Sequence, residues 1–251
     1  MKIRLRFSKY NTMKYIGHLD MLRYFQKAFR RAKVPMKYSE GFNPHPVMSF
    51  AAPLGVGVTS EGEYMDIEVT QDVDLEKLVF DLNQQMVEGV DVLSAMVLDD
   101  HTKKAMAAVT CAKYVIYLKK NSNLLKNVDI AASVKSFYED QSEILVVKKT
   151  KKGEKEVDLK PFIFDFRGST FEDRTFYQDL KVDIKNDEFC CEATDPVFVL
   201  QVSTGSNDNI KPELVFSALY RYLGIEEEPV IAIHRVELYQ KEAPDFISLG
   251  A

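Results

Sequence analysis

The sequence has few of the residues and segments that mark several large classes of protein. Its 251 residues include only three cysteines, two of them adjacent at Cys190 and Cys191, a pattern that no disulfide framework favours. The cysteines also lack the spacing of a zinc or iron–sulfur site, so we predict no metal site and no cofactor. Neither an 18-residue apolar run nor a secretory signal is visible. These absences predict a cytoplasmic protein without a membrane segment.

Charge is divided unevenly along the chain. The formal net charge is −5, yet residues 1–50 hold eleven Lys or Arg against Asp20 and Glu40, a charge of +9 that leaves −14 for the other 201 residues. Repulsion within a compact basic segment costs free energy, and such segregation is typical of a surface that meets a polyanion or an acidic partner. The alternative is pairing with the acidic remainder of the same molecule. We expect an external anion.

The first hundred residues alternate between strand and helix periodicity. Strands are predicted over 2–10, 47–52, 63–70 and 90–98, and helices over 17–33 and 74–86. In the first helix, Leu19, Leu22 and Phe29 are expected to face inward, opposite a basic face. The order β-α-β-β-α-β is that of a ferredoxin-like unit. Two helices would cover one face of a four-stranded sheet, and the other face should be free for a partner.

The second half has a similar but less regular order of elements. Strands are predicted over 114–118, 143–149, 154–159, 181–184, 197–203 and 229–239, and helices over 128–138 and 212–223. The polar segment 167–178 is irregular and is left unassigned. We therefore predict an α+β fold of two ferredoxin-like halves in tandem, the second elaborated with a hairpin. The predicted domains are 1–100 and 108–251.

The segment 38–49 (YSEGFNPHPVMS) concentrates unusual residues. Two prolines flank His45 and hold its backbone extended, while Gly41 permits a positive φ. A rigid connection explains the glycine and prolines, whereas a pinned imidazole fits a binding or acid–base role. We expect His45 to line a pocket near His18. The other binding candidates here are Tyr38, Ser39, Gly41, Phe42, Asn43 and Ser49.

Two further segments contain candidates for contact with an anion. The first helix has a basic stripe, Arg23, Lys27, Arg30 and Arg31, without visible acidic partners, and His18 lies at its N-terminus, where anions are attracted. His18 and His45 are the catalytic candidates, although a packing role for His18 is the simpler interpretation. The loop after the strand at 197–203 directs backbone N–H groups at the start of a helix, and contains Gly205, Ser206, Asn209 and Lys211. The alternative there is helix capping by Asp208 or Asn209.

Several of these segments resemble those of the radical-SAM-associated protein family. The resemblance lies in RFSK at 6–9, GHLD at 17–20, YSEGFNPHP at 38–46, PLGVG at 53–57, NIKPEL at 209–214 and RVELY at 235–239. It implies a companion of a radical SAM enzyme, because the CxxxCxxC cluster motif of such enzymes is absent from this chain. The shared domain has no assigned function.

Three functions are compatible with these observations. The first is an accessory RNA- or ribosome-related binding protein that works with a radical SAM partner. The second is an RNA-processing or phosphoryl-substrate enzyme that uses His18 and His45, an argument from fold analogy. The third is a protein–protein adaptor that docks a radical SAM enzyme. We expect the first, with RNA as the anionic partner.

Overall fold

The computed structural model describes residues 1–118, 125, 128–150, 153–173, 176, 192–205, 208–242 and 244–251. The fold is α+β, as predicted, and the chain divides into two compact units. One unit contains Met1–Cys111 together with Arg235–Ala251, and the other contains Ala112–His234. The first unit therefore includes a C-terminal segment that the predicted domain 108–251 assigns to the second half. The domain limits themselves stay a prediction.

The first unit begins with the predicted order of elements. These are β1 (Lys2–Lys9), α1 (His18–Arg31), β2 (Met48–Phe50), β3 (Thr59–Glu68), α2 (Leu75–Asn83) and β4 (Val92–Leu98). Strand β1 lies between β4 and β3, β2 pairs with β3, and all three pairings are antiparallel. A short helix α3 (Ala105–Ala108) follows. The remaining strands of this unit are the start of β5 (Val109–Leu118), the end of β10 (Ile231–Glu242) and β11 (Asp245–Ser248).

Helix α1 packs on the sheet through a narrow apolar stripe. Met21, Phe25, Ala28 and Phe29 are buried, at the i, i+4, i+7 and i+8 positions of one helix face. Leu19 lies outside this stripe and is 69 % exposed, so its predicted inward position is wrong. The stripe meets the alternate side chains of β1 and β3 that form the core, Ile3, Leu5, Phe7, Met65 and Ile67.

The sheet face away from α1 and α2 is covered at its centre, so the predicted free face is wrong there. Because side chains alternate along β1, Arg4 lies on this face, and it is only 4 % exposed. Arg4 donates to Asp66 at 2.7 and 3.2 Å and to the carbonyls of Lys103 and Leu249 at 3.0 Å each. The chain after β4 and the C-terminal segment thus cover positions where we expected an open surface.

The second unit contains α4 (Ile130–Glu139), β6 (Leu145–Thr150), β7 (Gly153–Asp158), β8 (Ile163–Thr170), β9 (Pro196–Ser203) and α5 (Pro212–Tyr222). The two predicted helices, the hairpin and the strand over 197–203 are confirmed, whereas the strand predicted over 181–184 lies outside the described residues. Strand β8, which pairs antiparallel with β9, was not predicted. Its register shifts between Ile163 and Asp165, and this irregularity breaks the period-2 pattern that marks a strand.

Candidate nucleic-acid interface

Residues 38–46 form a hairpin-like loop between α1 and β2. Tyr38 and Pro46 form an antiparallel bridge, and the N–H of Ser39 donates to the carbonyl of His45 at 2.9 Å. The base of the loop is attached to the sheet, since Lys37 N–H donates to the carbonyl of Glu68 at 2.8 Å. These bonds fix the path of the loop backbone.

His45 is exposed, and its ring is held by the loop itself. Its Nδ1 lies 2.9 Å from the hydroxyl of Ser39 and 3.4 Å from the carbonyl oxygen of Asn43. The Ser39 hydroxyl also accepts from the backbone N–H of His45 at 3.1 Å. Nδ1 is therefore engaged within the loop, and the contacts define the direction of the imidazole. The ring faces solvent and is not part of the core.

The tip of the loop presents an aromatic side chain to solvent. Phe42 follows Gly41, whose φ of +116° is a backbone conformation that favours glycine. The Phe42 side chain is fully exposed at 105 %, and Tyr38 at the base of the loop is 52 % exposed. Phe42 thus gains no apolar burial within the molecule, although its backbone belongs to a hydrogen-bonded loop.

The basic stripe of α1 is exposed, but only part of it lacks partners. Arg23 pairs with Asp20 at 3.3 Å, at the i,i+3 spacing, and Arg31 donates to the carbonyl of Gln85 at 2.7 Å. Our interpretation that acidic partners are missing is therefore wrong for Arg23. The side chains of Lys27 and Arg30 form no hydrogen bond or ion pair with any described residue. They are the cations of the stripe that an external anion can contact without displacing an internal partner.

His18, the first residue of α1, is half-buried and packs against an aromatic ring. Its ring centroid lies 5.2 Å from that of Phe50, in an edge-to-face arrangement. The turn before α1 is fixed by buried Lys9, whose Nζ donates to the carbonyl of Ile16 at 2.6 Å. This packing favours a structural contribution from His18. Its predicted proximity to His45 stays a prediction.

Ser49 lines a cavity on the sheet face that points away from α1 and α2. The cavity has a volume of about 250 Å³. Its lining includes Lys2, Ser49, Glu68, Thr102 and Lys104. Tyr38, Asn43 and His45, with which Ser49 was grouped from the sequence, are not among the lining residues. The cavity is therefore a separate feature, and the pocket predicted around His45 stays a prediction.

A group of buried charges that the sequence did not reveal joins distant strands of the first unit. Arg235 donates to both oxygens of Glu63, at 2.7 and 2.6 Å, and each side chain is only 3 % exposed. The pKa of nearby Lys9 is lowered, first by burial and also by Arg235, while Glu63 acts in the opposite direction. Positions 63 and 235 are 172 residues apart, so no local pattern indicates their pairing.

Comparison with known protein families finds one family model that matches most of the chain. Residues 2–212 match the model of a family described as an uncharacterized protein conserved in bacteria, DUF2344. The chain belongs to the DUF2344 family. A comparison with curated proteins finds no match. The description of DUF2344 names neither an activity nor a partner, so the association with radical SAM enzymes stays a prediction.

The DUF2344 match includes the second predicted anion-binding loop, between β9 and α5. Thr204 donates through its hydroxyl to Oδ1 of Asn209 at 3.0 Å, and Gly205 has a φ of +135°. Lys211 is the N-cap of α5, and among the described residues no side chain makes a capping hydrogen bond, so the expected capping by Asp208 or Asn209 is wrong. Ser206 lies outside the described residues.

Within this loop, Asn209 has contacts both inside the loop and with the β6–β7 hairpin. Asn209 is held within its loop, and its carbonyl is 3.4 Å from Nζ of Lys148 in the hairpin.

In the ranges that the structure describes, no group of three or more His, Cys, Asp or Glu could hold a metal ion. None of the helices described is both long and apolar enough to cross a bilayer.

Proposed function

We propose that this protein binds RNA through the 38–46 loop and the exposed cations of α1, as a cytoplasmic accessory to a radical SAM partner. The observation that carries the proposal is the complete exposure of Phe42 on a hydrogen-bonded loop. Stacking of a nucleic-acid base on an aromatic side chain contributes about 1–3 kcal/mol, irrespective of base identity. A loop that is already ordered also loses less conformational entropy on binding.

The exposed cations of α1 and the polar residues on either side of Phe42 in the loop are suited to the same ligand. Lys27 and Arg30 of α1 can each neutralise a phosphate and release counterions. His45 and Asn43, both exposed, offer hydrogen-bonding groups to base edges, which single-stranded RNA presents. The loop and helix therefore supply the three contacts typical of single-strand binding: stacking, backbone neutralisation and polar recognition.

We further propose that residues 1–100 form a ferredoxin-like unit. The element order of β1 to β4 and the strand order β4-β1-β3-β2 support it. In many RNA-binding proteins of this shape the open sheet face holds the bases. Here Arg4 and Asp66 on that face are covered, so the proposed interface lies on the loop and α1. The radical SAM partner is supported by the sequence resemblance alone.

Fluorescence anisotropy with a fluorescein-labelled single-stranded RNA of twelve uridines tests the proposal. We expect Phe42→Ala to weaken binding by about 5- to 150-fold, the equivalent of one lost stacking contact. The matched control is Phe80→Ala, which removes another exposed phenyl ring, 63 % exposed, on α2. Lys27→Glu/Arg30→Glu should weaken binding and make it less dependent on salt. Equal affinity of Phe42→Ala and wild type, with circular dichroism showing both folded, contradicts the proposal.

The same RNA separates the two other functions. If gel electrophoresis shows that the wild-type protein cleaves the labelled RNA and that His45→Ala does not, the protein is an enzyme and the accessory role is wrong. If wild type fails to bind the RNA even at low salt, RNA binding is wrong and the protein–protein adaptor is the function that remains to be tested.

A further inference from the structure

Two parts of the first unit form the cavity beside Ser49. Its floor is the end of the sheet, where Lys2 pairs in register with both Glu68 and Leu98. Glu68 N–H also donates to the carbonyl of Val47 at 3.1 Å, which places Val47 on the same side of the cavity. The floor therefore combines charged groups with the apolar side chains of Val47 and Leu98.

The wall of the cavity is the segment that follows β4. Asp100, Thr102 and Lys104 line it. The segment is held over the sheet because the carbonyl of Lys103 accepts from Arg4 at 3.0 Å and the N–H of Ala105 donates to Asp66 at 2.7 Å. Both hydrogen bonds are made to buried side chains, those of Arg4 and Asp66, so the segment is attached to the interior of the first unit.

The charges of the cavity leave one cation without a close partner. Each lining carboxylate has its own: Asp66 pairs with Arg4 at 2.7 Å, Glu68 with Lys37 at 2.9 Å and Asp100 with Lys2 at 3.1 Å. The side chain of Lys104, an exposed residue, forms no hydrogen bond and no ion pair within 4 Å among the described residues, although its charge contributes to the lowered pKa of Glu68. The hydroxyls of Ser49 and Thr102 likewise make no hydrogen bond there. The lining of the cavity therefore contains a residue with an ammonium, Lys104, and two with hydroxyls, together with the apolar residues Val47 and Leu98.

We propose that this cavity binds a small carboxylate with a short apolar chain. The carboxylate would accept from Lys104, Ser49 and Thr102, since a charged donor gives the stronger hydrogen bonds. The apolar chain would lie on Val47 and Leu98. At about 250 Å³ the cavity holds the equivalent of about eight waters at ~30 Å³ each, enough for a chain of a few carbons. Neither the family description nor the proposed RNA interface accounts for this site.

Saturation-transfer NMR and isothermal titration with 4-methylpentanoate as the probe test the site. We expect binding by wild type and a loss of about 10-fold or more in Lys104→Met, because one charge-assisted hydrogen bond is removed. The matched control is Lys103→Met, since Lys103 is adjacent, equally charged and contributes only its carbonyl to the Arg4 contact. Ser49→Leu should block the cavity and abolish binding.

Three outcomes overturn the inference. The first is equal binding of the neutral analogue 4-methylpentan-1-ol, which would mean that the carboxylate is not recognised. The second is equal affinity of Lys104→Met and wild type. The third is displacement of the probe by inorganic phosphate at equal concentration, which would indicate a general anion site. Binding of twelve-uridine RNA by Lys104→Met separates this site from the RNA interface, because we expect it to be unchanged.

Discussion

Removing the Arg235 guanidinium tests whether the buried pair with Glu63 stabilises the first unit. Arg235→Met preserves much of the side-chain volume but leaves a carboxylate, 3 % exposed, without its two charged hydrogen bonds of 2.7 and 2.6 Å. Loss of one partner of a buried pair typically costs about 3–5 kcal/mol. Because the Lys9 ammonium also interacts with Glu63, we expect the lower end, about 3 kcal/mol.

Thermal unfolding followed by circular dichroism measures this cost. For a chain of this length about 3 kcal/mol lowers Tm by roughly 6–12 °C. The control, Arg23→Met, removes an exposed pair and should cost less than about 1 kcal/mol. Arg235→Met/Glu63→Leu should be more stable than Arg235→Met, since it no longer buries an unpaired charge. The reasoning is refuted if the double variant is the less stable of the two, or if Arg235→Met unfolds at the wild-type temperature.

Two further predictions concern the same unit. Gly62→Ala should lower the free energy of unfolding by about 1–3 kcal/mol, because the new Cβ would lie 2.3 Å from the carbonyl oxygen of Val236 in the neighbouring strand. Urea unfolding measures the loss, and the control is Gly55→Ala, whose Cβ meets only a side chain at 3.4 Å. Equal urea midpoints for the two variants would contradict the prediction. Burial, followed by the hydrogen bond to Asp91, raises the pKa of Tyr10 to about 12. Its ordinary pKa is about 10 in the unfolded chain, so its contribution to stability is complete below pH ~10 and is lost as pH rises towards ~12. Between pH ~10 and ~12 the Tm of Tyr10→Phe should therefore fall less than the Tm of wild type. Parallel pH profiles of Tm would contradict the raised pKa of Tyr10.

The sequence predicts helices and strands well where the periodicity of hydrophobic residues agrees with the positions of proline and glycine. The alternation of β1, the helical spacing around Phe25 and the stop at Pro35 depend only on residues near one another in the chain. Leu19 was misplaced because two overlapping apolar stripes fit the same helix, and only packing selects the one through Met21. Local pattern thus predicts an element more reliably than it predicts the face that the element buries.

Features that depend on distant segments could not be predicted in this way. The cover over Arg4 comes from Leu249 and Lys103, which are 245 and 99 residues away in sequence. The loop at 38–46 is an intermediate case, because its glycine and prolines predicted a fixed backbone, and its internal bonds involve residues only a few positions apart. The full exposure of Phe42 depends on what the remaining chain leaves uncovered, and no local pattern gives it.

Contacts with distant segments also affect how the +9 charge of residues 1–50 is interpreted. Four of the basic side chains in this segment pair with carboxylates elsewhere in the first unit: Lys2 with Asp100, Arg4 with Asp66, Arg6 with Glu237 and Lys37 with Glu68. Part of the charge is therefore neutralised internally and part faces outward, and contact of the outward part with an external anion stays a prediction. If only Lys27 and Arg30 contact phosphates, the logarithm of RNA affinity should fall with the logarithm of salt concentration with a slope of about −1.4, and one further cation would make this slope about −2.1. Nine contacts would give a slope of about −6, which would mean that RNA binding breaks the internal pairs.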